Sequence, residues 1–128
     1  CNRDAWNNCV ICFSDKIKFV IGGDTRAESV KNGFYAISSN PTHIMVHDAA
    51  RPNVSKTLIN DLITAAKTYD AVIPGIPVTD TIKKIKKSTV IETINRNQLI
   101  AVQTPQVFAH QLLAYTYASP INITVFAK

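Results

Sequence analysis

Two short stretches hold the residues whose types and spacing could do chemistry. Gly22-Gly23-Asp24-Thr25-Arg26-Ala27-Glu28-Ser29 sets two glycines before a helix start. Glycine has no Cβ, so this backbone can approach a flat ligand closely, and a helix N-terminus adds unpaired N–H groups. The same pattern also fits a plain turn ahead of a capped helix. His47-Asp48-Ala49-Ala50-Arg51-Pro52 combines a carboxylate, two small residues and a guanidinium. Asp48 is a natural Mg²⁺ ligand where phosphates supply the remaining oxygens, and Arg51 offers a planar fork suited to phosphate. An ion pair between Asp48 and Arg51 that merely ties the loop accounts for the same residues. Further polar or cationic groups follow at Asp80-Thr81, Asn95-Arg96 and Gln103-Thr104-Pro105-Gln106. Each of these alone could be a surface residue. Cys9 and Cys12 with His43 and His47 have the ligand types of a zinc site. The gap between the two pairs is about twice what such a motif allows, so two thiols in an apolar segment is the simpler reading.

The elements that must carry these turns can be read from periodicity. Lys16 to Ile21 predicts a strand that ends at Gly22-Gly23. Thr25 and Glu28 form a capping box, and Val30, Phe34 and Ile37 continue at helical spacing until Ser38-Ser39-Asn40-Pro41. His43 to His47 predicts a short strand running into Asp48. Ser55 caps a second helix, whose expected buried stripe is Leu58, Ile59, Leu62, Ile63 and Ala66. Ala71 to Pro74 predicts a third strand. The alternation β-α-β-α-β implies a parallel sheet covered by helices, with ligands bound beyond the carboxyl ends of its strands. Thr81 to Ile85 and Thr89 to Ile94 then predict a hairpin. An extended piece from Leu99 to Val107, a helix from about Ala109 to Tyr117 and a strand from Ile121 to Phe126 complete the chain. No repeat or linker divides it, so one domain over residues 1–128 is expected.

Composition narrows the class. Of 128 residues, 46% are hydrophobic and 18% charged, as in ordinary soluble domains. No apolar run is long enough to span a membrane, no signal peptide is evident, and a cytoplasmic setting is expected. The chain does not open with Met, so it is expected to begin inside a longer product. Three cysteines crowded into the first residues do not make a disulfide framework. The net charge of +5 could serve nucleic acid or a small polyanion. The densest cluster, Lys83-Lys84-Ile85-Lys86-Lys87, lacks interleaved aromatics and any nucleic-acid motif, so it reads as a solvated hairpin tip.

The motifs gain specificity from their order. Gly22 to Val30, His47 to Pro52, Pro77-Val78-Thr79-Asp80-Thr81-Ile82-Lys83, Asn95-Arg96 and Gln103 to Phe108 occur in sequence. Together they resemble the 2-C-methyl-D-erythritol 4-phosphate cytidylyltransferases of non-mevalonate isoprenoid biosynthesis, over about Lys16 to Leu113. The resemblance implies a Rossmann-like α/β fold, mostly parallel, with helices on both faces and a protruding hairpin arm at about 79–103. It implies an enzyme that moves CMP from CTP to methylerythritol phosphate and releases pyrophosphate. By resemblance, Gly22, Gly23, Asp24 and Ser29 take the cytidine and Ala49 lines the ribose. Asp48 holds Mg²⁺, and Arg51 sits near the sugar phosphate. Thr81, Arg96 and Thr104 hold the methylerythritol phosphate. Asp48, Arg51 and Arg96 are the residues expected to carry catalysis. No nucleophilic side chain is implied, and His47 reads as structural. The arm implies a homodimer in which arm residues serve the partner's site.

The family also carries a Gly-rich phosphate loop with an Arg and a following Lys, and a substrate-contacting Lys near its C-terminal end. The residues before Lys16 and after the last helix match neither. A fragment of the enzyme, poorly stable and with little or no activity by itself, is therefore expected. The competing readings are an inactive remnant, a ribitol-phosphate cytidylyltransferase and an RNA-binding module that uses the positive charge.

Overall fold

The computed structural model describes residues 17–118 and 126–127. Cys9 and Cys12, and most of the strand expected at Ile121 to Phe126, lie outside them. The chain divides into two compact units, Cys1–Ser38 and Ser39–Lys128.

In the first unit the one described element is helix α1, Arg26–Tyr35. Its capping box is complete. Thr25 Oγ1 accepts from the Glu28 N–H at 3.1 Å, and Glu28 Oε2 accepts from the Thr25 N–H at 3.1 Å. Two of the orphan donors of the helix start are thereby satisfied reciprocally. At the far end the Lys18 ammonium donates to the Ala36 carbonyl at 2.7 Å, a cation on the negative end of the helix. The expected strand at Lys16 to Ile21 is not formed over the described residues 17–21. The segment is instead fastened through side chains, with Asn32 Nδ2 donating to the Ile21 carbonyl at 3.1 Å. β-propensity favours an extended backbone, but a strand also needs a ladder partner, and among the described residues no pairing is formed by this segment.

The second unit carries the sheet. Strand β1 is His43–Val46, helix α2 is Lys56–Ala66 and strand β2 is Ala71–Ile73. Strand β3, Gly75–Pro77, follows directly. Strands β4, Ile82–Lys86, and β5, Thr89–Ile94, form the expected hairpin. A 3₁₀ turn at Arg96–Gln98 leads to β6, Ile100–Val102, and β7, Gln106–Ala109. Helix α3, His110–Ala118, and β8, Phe126–Ala127, close the chain.

The four-stranded sheet has the order β1-β7-β2-β8. β1, β2 and β8 run one way and β7 runs against them. The sheet is thus mostly parallel in direction. However, β1 and β2 do not pair with each other, as a simple β-α-β unit would have them do. β7 lies between them and bonds to both. β3 and β6 form a second, antiparallel pair just beyond β2 and β7.

Helix α2 packs on β2 and β7 through Leu62, Ala66, Val72 and Val107, with Leu58 and Ala65 against them. Leu58, Leu62, Ala65 and Ala66 fall on one helical face at spacings of four, three and one. Ile63, expected in this stripe, is 48% exposed, because it sits about 100° around the helix from Leu62. Leu62 is fully buried, so truncating it to Ala costs about 2–5 kcal/mol. Among the described residues no helix is long and apolar enough to cross a membrane.

Candidate active site

The sheet register assembles the second motif. β1 and β7 are antiparallel with Val46 opposite Gln106, so the residues after β1 meet those before β7. This brings His47 and Asp48 to Thr104, although they are 57 and 56 residues apart in the chain. Asp48 through Arg51 forms a tight turn, with the Arg51 N–H donating to the Asp48 carbonyl at 3.0 Å. Ala49 and Ala50 occupy its middle. The Asp48 N–H donates to Thr104 Oγ1 at 3.2 Å. His47 Nδ1 lies 3.0 Å from the same hydroxyl, and His47 Nε2 lies 2.8 Å from the Arg51 carbonyl. One ring therefore spans both ends of the turn.

Arg51 is held on two sides. Its Nη1 donates to Gln103 Oε1, and its Nε stands 3.7 Å from Asp48 Oδ2. Both side chains of the ion pair are part-exposed, at 47% and 37%, so the pair orients more than it stabilises. Gln103 is itself anchored, its N–H donating to the Pro74 carbonyl at 2.8 Å and its carbonyl accepting from Gln106 Nε2 at 3.3 Å. Beside this cluster opens a cavity of about 580 Å³ whose lining includes His47, Arg51, Gly75, Gln103 and Thr104. Asp48, Thr81 and Arg96 are not among its lining residues.

Thr81 and Arg96 form a separate group at the base of the hairpin. Arg96 Nη1 donates to the Thr79 carbonyl, which ties the chain leaving β5 to the chain entering β4. Asn95 caps the 3₁₀ turn that follows β5, its side chain accepting from the Asn97 N–H at 3.1 Å. In this structure Arg96 thus fastens the arm's base.

The first motif lies in the other unit. Ser29 Oγ accepts from the Gly23 N–H at 3.0 Å and stands 3.0 Å from the Thr25 carbonyl, to which its hydroxyl can donate. Ser29, expected on the basis of resemblance to touch cytidine, thus also shapes the Gly22-Gly23 turn. A Cβ on Gly23 would stand 2.3 Å from Glu28 Cβ and 3.2 Å from the Glu28 carbonyl carbon, so only glycine fits beside the capping box. Asp24 is exposed at the same turn.

Sequence reasoning gave no role to Gln103, which orients Arg51, and did not foresee the link from His47 to Thr104. For Gln103 the available signal was an amide oxygen in a motif that must end near an arginine. For the His47 link there was no local signal, since it depends on β7 entering the sheet beside β1.

Residues 3–125 match the family described as IspD: 2-C-methyl-D-erythritol 4-phosphate cytidylyltransferase. The chain is 43% identical over 104 residues to the 2-C-methyl-D-erythritol 4-phosphate cytidylyltransferase of Bacillus mycoides, covering 81% of this chain and 46% of that one. Among solved structures it resembles the 4-diphosphocytidyl-2C-methyl-D-erythritol synthase of Anaerococcus prevotii. That likeness has a TM-score of 0.78 and 30% identity, over 94% of this chain and 57% of that one. It also resembles the Francisella tularensis 2-C-methyl-D-erythritol 4-phosphate cytidylyltransferase, with a TM-score of 0.75 and 33% identity, over 89% and 56%. The chain spans about half the length of the curated relatives it matches.

Proposed function

Since the chain belongs to the 2-C-methyl-D-erythritol 4-phosphate cytidylyltransferase family, we propose that it serves the transfer of CMP from CTP to 2-C-methyl-D-erythritol 4-phosphate. In that reaction an oxygen of the acceptor's phosphate bonds to the α-phosphorus of CTP. The bond from that phosphorus to the bridging oxygen breaks, and pyrophosphate leaves with the electron pair. Such a transfer needs positioning and charge neutralisation rather than a covalent nucleophile on the protein.

The observation that carries this reading is the Asp48–Arg51 turn. It holds a part-exposed carboxylate and an oriented guanidinium three residues apart, next to a cavity. Arg51 would meet a phosphate with the donors left by Gln103. No group of three ligating side chains occurs among the described residues, and Mg²⁺ needs only one or two carboxylates when phosphates complete its shell. Asp48 fits that requirement. Bound there, Mg²⁺ would supply charge neutralisation on the triphosphate. Gly22, Gly23, Asp24 and Ser29 would take the cytidine at their exposed turn. Ala49 would take the ribose, and Thr81, Arg96 and Thr104 the acceptor. The hairpin would join two copies, which is supported by exposed Ile85, Val90 and Ile91 on its strands.

The test is pyrophosphate release from CTP, Mg²⁺ and methylerythritol phosphate by the purified chain. The expected result is release above background that falls by about 10²-fold or more in Asp48→Asn, the scale of losing one preorganised electrostatic partner. An absence of release would make the chain a non-catalytic member of its family. Equal release with ribitol phosphate would reassign the acceptor.

A further inference from the structure

We propose that Gln103 is a further anion-binding residue of this site: its amide oxygen holds Arg51, and its amide nitrogen gives the cavity a second set of N–H donors for a phosphate oxygen. That the anion is the acceptor's own phosphate rests on the function proposed above. The donor set stands on geometry.

The orientation of the amide follows from its partner. A guanidinium carries N–H groups and no acceptor, so the atom that meets Arg51 Nη1 must be the Gln103 oxygen. The amide nitrogen is then the other arm of the same planar group, with two hydrogens to donate. The remaining bonds of Gln103 are made by its backbone, to the Pro74 carbonyl at 2.8 Å and from Gln106 Nε2 at 3.3 Å. They fix the residue on both sides and leave Nε2 without a partner among the described residues. Gln103 is half-buried and lines the 580 Å³ cavity together with Arg51. The two hydrogens of Nε2 therefore go to water or to a ligand in that cavity.

The chemistry of the lining selects the ligand. Arg51 and the amide nitrogen can only donate, so a ligand atom that satisfies them must accept, as ionised phosphate oxygens do. Among the described residues no carboxylate lines this cavity, so nothing negative competes there. The side-chain type is informative as well. A glutamate of the same length would also hold Arg51, as an ion pair. It would, however, neutralise the guanidinium and replace two donors with a negative oxygen. A neutral amide fixes the direction of the fork and leaves its charge for the ligand.

The test is calorimetric binding of inorganic phosphate to the full chain at low ionic strength, with a thermal melt of each variant. Gln103→Met, close in length but without donor or acceptor, should weaken phosphate binding about tenfold. Gln103→Glu should weaken it by about a further tenfold, yet melt no lower than Gln103→Met, because the carboxylate keeps the bond to Arg51. A merely structural residue would rank the two variants alike in stability and in affinity. A Glu variant that binds as tightly as the Met variant, or melts below it, overturns the assignment. So does a Met variant that binds like wild type, or a wild-type chain that takes up no phosphate. Pyrophosphate release judges the functional reading separately. The expected phosphate ranking without release would leave the donor set standing and remove the enzymatic role. Release by wild type that Gln103→Met leaves unchanged, with phosphate binding also unchanged, would do the reverse.

Discussion

At the scale of single residues, the two glycines of α1 and its approach make opposite demands. Gly23 has no room for a methyl group, since Glu28 would be met at 2.3 Å. Gly33, inside α1, has nothing within 4 Å of where its Cβ would stand, and no glycine here has positive φ. Gly33→Ala is therefore expected to stabilise the helix by about 0.5–1 kcal/mol. Gly23→Ala is expected to break the capping box and cost about 1 kcal/mol or more. Urea titrations of the two variants, followed by circular dichroism, check both signs. A Gly23→Ala variant as stable as wild type would mean that the turn is not held as described. Residues whose partners are close in sequence were legible beforehand. Thr25 and Glu28 are three apart, and their box was predicted and formed. His47 and Thr104 are 57 apart, and no local pattern announces their bond. Ser29 was read as a ligand contact, whereas its bonds to Gly23 and Thr25 give it backbone work in addition.

At the scale of elements, the hairpin shows what pattern alone can fix. Its strands alternate and its tip is polar, so β4 and β5 fell close to where the sequence placed them. Cross-strand pairs then add order: Lys84 meets Glu92 at 3.2 Å, and Lys83 donates to Thr93 Oγ1 at 2.7 Å. The turn itself is less favourable, because Lys87 has φ of 52°, a conformation that suits glycine. Lys87→Gly is expected to stabilise the hairpin by roughly 1 kcal/mol, read as slower amide exchange along β4 and β5. Faster exchange would show that the lysine side chain matters more than the backbone. The central sheet was less legible. Helical and strand periodicity gave β1, α2 and β2 in order, but periodicity cannot say that β7 inserts between the two strands. That pairing depends on a non-local match between the β1 and β7 edges. The strand expected before Gly22 failed for a related reason, since propensity cannot provide the ladder that a strand requires.

At the scale of the whole molecule, the expected ligand residues fall into two compact units: Gly22 to Ser29 in one, and Asp48, Arg51 and Thr104 in the other. The ordered motifs made the family legible before any fold was known. Quaternary structure is the prediction that belongs here. Ile85, Val90 and Ile91 are exposed on the hairpin strands, with Ile85 at 64%. Ile85 and its cross-strand partner Val90, on an otherwise lysine-rich arm, suit contact with a second copy. Sedimentation velocity is expected to show a dimer that dissociates in the Ile85→Glu, Val90→Glu double variant. A wild-type chain that sediments as a monomer across the accessible concentration range would remove the arm's proposed role.

The placement of β7 also sets a timetable. When a growing chain has emerged only through β2, its two sheet strands have no ladder partner, because both bond to a strand made later. Helix α2 can form early from local contacts, while the turn at Asp48 has to wait for Thr104. The corner that holds Asp48 and Arg51 is therefore among the last parts to be ordered, and its assembly pays the loop-closure cost of the whole intervening segment. In pulse-labelled exchange during refolding, amides inside α2 should gain protection first, and the Asp48 amide no earlier than those of β7. Protection of Asp48 ahead of β7 would mean that the turn forms without the strand that now holds it.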